Sequence, residues 1–131
     1  MSRHRDRRGR GPRGPLAHPP VPVMATRAEA FDDLVLETAE RFRPVLGRRW
    51  HDVEFAVEDI PPQEPAEWEG GVPLARLWPA QGRLPARVVV YRRPVEGIAP
   101  GSDRALVVHE VLVEQIALLL GVPPHEVDPG L

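Results

Sequence analysis

"VVHEVLVEQIALLLG", residues 107–121, carries apolar side chains at intervals of three and four, the period of a helix with one buried face. Leu106, His109, Val113, Ile116 and Leu120 share one stripe, which predicts that His109 lies in the apolar seam. Glu110 follows it, in line with Leu106, Val113 and Ala117. Ser102 or Asp103 supplies the expected cap and Gly121 the stop, so the helix is placed at about 103–120. An imidazole in such a seam needs a hydrogen-bond partner, because an unpaired polar group is costly away from water.

Working toward the N-terminus, "ARVVVYRRP" (86–94) is the strongest strand signal: Val88, Val89, Val90 and Tyr91 are β-branched or aromatic, and Pro94 closes the run. "EGIAPGSD" (96–103) reads as the loop that leads into the helix. "VPLARLWPAQG" (72–82) holds a short strand, with Pro73 and Pro79 placing it at an edge. "QEPAEWEGG" (63–71) reads as an acidic loop. "DVEFAVEDIPP" (52–62) alternates Val53, Phe55 and Val57 with Glu54, Ala56 and Glu58, a half-buried strand. In "TRAEAFDDLVLETAERFRP" (26–44), Thr26 and Glu29 form a capping box. Phe31, Leu34, Val35, Thr38, Ala39 and Phe42 then mark a helix of about 27–43, stopped by Pro44, with Asp32, Asp33, Glu37 and Glu40 on its outer face. The order helix, three strands, helix predicts an α+β domain. Two main helices should pack on one face of a short, mostly antiparallel sheet of about three to four strands.

The net charge of -2 hides an asymmetry. Residues 1–23 hold six arginines (Arg3, Arg5, Arg7, Arg8, Arg10 and Arg13) against Asp6, a balance of +5; residues 24–131 hold the other 11 against 18 acids, a balance of -7. The Pro-, Gly- and Arg-rich segment 1–23 has little to bury and is expected to be a disordered tail ahead of a domain at 24–131. Met24, at that edge, is an alternative start to Met1. The arginines of the tail could neutralise phosphates, which makes nucleic acid a partner to consider, although no aromatic is interleaved to stack on bases.

The sequence contains no cysteine, which excludes disulfides, thiolate zinc sites and cysteine nucleophiles. No apolar run approaches a membrane span or a secretory signal, so a cytoplasmic protein without membrane contact is expected. Ser102, the one serine beyond Ser2, lacks a nucleophile elbow. "EGGVP" and "LGRRW" lack the helix start that would gather N–H groups around a phosphate. Trp50, Trp68 and Trp78 are read as core area.

His109-Glu110 is the first half of a zinc-hydrolase pattern, His-Glu-x-x-His. In that pattern two imidazoles one turn apart take adjacent corners of the zinc tetrahedron, and the glutamate deprotonates the bound water. Here Val113 stands at the second imidazole and has no donor atom. Glu114 and Gln115 are rotated about 100° and 200° from that direction.

"FDDLVLETAERF", "DVEFAVEDIPP", "RVVVYRRPVE" and "ALVVHEVLVEQIALLLGV", in this order, resemble the small bacterial metallopeptidase-family proteins with a zincin-like fold, over roughly residues 26–128. The resemblance implies a zincin-like domain, with His109 at the position of the first metal ligand and Glu110 at that of the general base. Val113 departs from the second ligand, Ile116 from a following glycine and Leu119 from an acidic third ligand. These departures imply a family member without catalytic zinc or other cofactor, serving as a binding domain for an unidentified protein or peptide. An active zinc peptidase is the alternative, with ligands supplied elsewhere. His51, His125, Glu126 and Asp128 are the residues that could complete such a site. The end of the helix, however, lies about 18 Å from His109, a long return for the residues after it. "PPHEV" (123–127) is therefore read as a short turn, and His109 as a neutral core histidine bonded to backbone or to a carboxylate.

Overall fold

The computed structural model describes residues 22–62, 72–99 and 101–128, with side chains from residue 27 onward. Seven elements carry the fold: α1 (Pro22–Glu40), α2 (Arg43–Leu46), β1 (Val53–Glu58), β2 (Ala75–Trp78), β3 (Ala86–Tyr91), α3 (Arg92–Ile98) and α4 (Arg104–Leu120). The chain is α+β, with α1 and α4 the two long helices against a three-stranded sheet.

The sheet order is β1-β3-β2, and it is mixed. β1 runs parallel to β3, from Val53 opposite Ala86 to Glu58 opposite Tyr91, while β2 is antiparallel to β3. The expectation of a mostly antiparallel sheet is corrected on this point. Alternation assigns residues to faces, but a strand laid in either direction presents the same alternation. The valine-rich β3 is central and the proline-flanked β2 is at an edge. That arrangement spares the middle of the sheet from residues that cannot donate to the ladder.

Val53, Phe55 and Val57 of β1, Ala75 of β2, and Ala86, Val88 and Val90 of β3 join one core. From α1 it receives Phe31, Val35 and Ala39, and from α4 Val108, Leu112, Val113 and Ile116. On the opposite sheet face Ala56, Val89 and Tyr91 form a second, smaller buried cluster. Arg87 lies across that face, with Glu54 at 3.7 Å and Glu58 at 3.8 Å. Trp50 is buried against Phe55, with the Arg43 guanidinium 5.5 Å from its ring centre, whereas Trp78 is 39% exposed. Trp68 and the loop 63–71 lie outside the described residues.

Three local expectations are revised. α1 begins at Pro22, so Thr26 is inside the helix rather than at its cap, and it ends at Glu40. Its last turn tightens through Arg41 N–H to Thr38 O (3.1 Å) and Phe42 N–H to Ala39 O (2.9 Å). Asp32, expected on the outer face, is 5% exposed. Residues 92–98 form a helix rather than a strand end and loop. Pro94 fits there because it occupies the first turn, where an amide hydrogen has no intrahelical acceptor. Arg92 is bonded to Asp59 (3.1 Å) and Glu96 (3.0 Å), and Arg104 to Glu96 (3.2 Å), which ties the end of β1 to α3 and to the start of α4. No described helix is long and apolar enough to cross a membrane.

Candidate functional site

α4 puts its side chains on two unequal faces. Val108, His109, Val111, Leu112, Val113, Ile116 and Ala117 are buried; Glu110, Glu114 and Leu118 form an exposed stripe at intervals of four. Leu106, expected in the buried seam, is 48% exposed, and Glu110, in line with buried Val113 and Ala117 along the helix, is exposed to solvent. His109 does lie in the seam, 3% exposed, with its ring centre 5.5 Å from that of Phe42.

Gly121, in the left-handed region at φ 71°, ends the helix, and the Gly121 and Val122 N–H groups both reach Ala117 O, at 2.8 and 3.1 Å. Pro123 is extended, a single 3₁₀ turn runs from Pro124 to Glu126, and Val127 is fully buried in the main core. This path carries Asp128 back to His109: Oδ1 lies 2.7 Å from Nε2. The C-terminal segment thus makes the return that its length was expected to forbid. Seven residues, even partly extended, reach on the order of 20 Å, enough to cover the helical turns between Gly121 and His109. The 3₁₀ turn at His125 and Glu126, both exposed, is as expected.

A carboxylate accepts hydrogen bonds and cannot donate them, so Nε2 of His109 carries the hydrogen and donates it to Asp128. Nδ1 is buried and has no hydrogen-bond partner among the described residues. In this arrangement neither nitrogen presents an open lone pair. A metal needs an exposed lone pair on one nitrogen, and a ligating histidine ordinarily donates its other N–H to a carboxylate or carbonyl. Here one nitrogen is already a donor and the other is closed in.

The remaining positions of the zinc pattern fit no better. Val113 is 7% exposed and packed in the core, Ile116 is fully buried, and Leu119 is half-buried against the same core. His51 and His125 are exposed, and among the described residues no three His, Cys, Asp or Glu side chains gather closely enough to hold a metal ion. The donor set around His109 does not make a zinc tetrahedron. Arg3, Arg5, Arg7, Arg8, Arg10 and Arg13, the candidate nucleic-acid contacts, lie outside the described residues.

A helix bearing His-Glu, packed against a short sheet that precedes it, is the framework of a zincin-like domain. The sequence profile of the zincin-like metallopeptidase family matches residues 50–130, more than half of the chain, and the chain belongs to that family. No curated protein matches it.

Proposed function

We propose that this zincin-like metallopeptidase-family domain works without catalytic zinc, as a non-catalytic binding domain for a protein or peptide. The observation that carries the reading is the state of the His109 imidazole, held by Asp128 through Nε2 and closed in at Nδ1. Glu110, which would have to reach a metal-bound water, points to solvent, and Val113 adds no donor. Proton abstraction from water at such a site would need the base within hydrogen-bond reach of a fixed oxygen, and among the described residues no three His, Cys, Asp or Glu side chains gather to hold a metal that would fix one.

Metal analysis of the purified full chain, together with a peptidase assay on a denatured protein substrate, tests the proposal. The expected outcome is zinc far below one ion per chain and no hydrolysis above background. Glu110→Gln should leave binding and stability within roughly 0.5 kcal/mol of the parent, as for an ordinary surface substitution. About one zinc per chain, lost in His109→Ala, would overturn it.

A further inference from the structure

The segment after α4 is short, yet it is tied to the domain, beginning with Val122, which packs against the main core. Val127 inserts a fully buried side chain into the main core, and Asp128 bonds the one histidine that α4 buries. Between these anchors and the helix the chain turns at Gly121, in a left-handed conformation that glycine adopts without strain. His125 and Glu126 stand exposed between the helix end and the anchors. Asp128 is itself 46% exposed, so the bond to the imidazole sits at the boundary between the interior and water.

We infer that residues 122–128 are a hinged strap that closes over the His109 imidazole, so that strap release, short of unfolding the domain, controls access to that ring. The inference rests on the reading that no metal covers His109. Val122, Val127 and Asp128 hold the strap locally, while the core beneath it draws on β1, β2, β3, α1 and α4 together. A segment held by local contacts of its own should open at lower free-energy cost than the whole domain. On opening, it would uncover a ring nitrogen beside Phe42 and the recess that Val127 fills. The strap thus takes the place on His109 that a ligand would need, and any ligand must displace Asp128 to bind there.

Diethyl pyrocarbonate labelling of the full chain, resolved by peptide mass spectrometry, tests this. His51 and His125, both exposed, serve as internal references. In the parent protein His109 should label about 10-fold or more slowly than either reference, and its rate should rise with urea less steeply than global unfolding does. In Asp128→Ala, with far-ultraviolet dichroism unchanged, the His109 rate should approach that of the references.

Parent His109 labelling as fast as His51 would overturn the strap. So would persistent protection in folded Asp128→Ala, or a urea dependence equal to that of global unfolding. The urea series on the parent stands alone if the variant does not fold. Repeating the labelling after dialysis against a chelator separates the two readings. Protection that vanishes with the chelator means that a metal covers the ring, which overturns the metal-free proposal. Protection absent both before and after overturns the strap alone.

Discussion

Val113 lies one helical turn beyond His109 on α4, and both side chains are buried, at 7% and 3% exposure. The turn that would hold two metal ligands therefore holds one imidazole and one packing residue. Val113 belongs to the same core as Phe55 and Leu112, so its replacement concerns the fold as much as the chemistry.

Val113→His is expected to destabilise the domain by about 1–3 kcal/mol, since it buries a polar ring without a prepared partner. It should not create a stoichiometric zinc site, because Nε2 of His109 remains bonded to Asp128 and Leu119 stands where an acidic third ligand would be needed. Urea denaturation and metal analysis of the variant check both parts. Tight binding of one zinc per chain would show that the strap yields readily to a metal.

Glu96 serves two arginines, Arg92 at 3.0 Å and Arg104 at 3.2 Å, and its side chain is 25% exposed. Its replacement by alanine should cost about 1–2 kcal/mol: bonds to charged groups are stronger than neutral ones, and partial exposure limits the loss. Because α3 and the start of α4 share this carboxylate, hydrogen exchange should accelerate there first. A chemical-denaturation midpoint equal to that of the parent would show that the three-residue network contributes nothing.

Tyr91 is the sole tyrosine of the chain and is fully buried, with its hydroxyl unpartnered among the described residues. Burial pushes its pKa above the usual 10.0; the positive charge of Arg76 pulls the other way, and Glu58 adds to the rise. The nearby Trp78 indole also pulls downward, although it stands outside hydrogen-bond geometry. The unfolded chain loses the phenolic proton first, so the contribution to stability is complete below pH 10.0 and disappears as pH rises through the higher folded value. Tyrosinate absorbance should therefore appear only at a pH above that of free tyrosine, with loss of stability over the same interval. Tyr91→Phe should abolish that component and raise stability at neutral pH by roughly 1 kcal/mol, having removed a buried hydroxyl without a partner. Titration at the pH of free tyrosine in folded protein would contradict the burial argument.

Much of the domain was legible from local pattern. The three- and four-residue spacing in 107–121 marked α4 and placed His109 in its buried seam, and Gly121 marked its end. Alternation in 53–58 separated the core face of β1 from the outer face, and the prolines around β2 kept it at an edge. The helix at 92–98 was obscured because Pro94 reads as a breaker unless its place in the first turn is known. Leu106 was misplaced because the buried arc of α4 is set by what packs on either side of it, and one helix read alone does not say where that arc ends.

What the residues determined unaided was the kind of the two long helices and the three strands, and the lack of a donor at 113, because helical and strand periods arise from neighbours along the chain and an aliphatic group has no donor in any fold. The parallel pairing of β1 with β3 and the meeting of Asp128 with His109 were decided by tertiary structure alone. Both join positions far apart in sequence, and only the packing of the whole core selects one direction for the strand and one path for the strap.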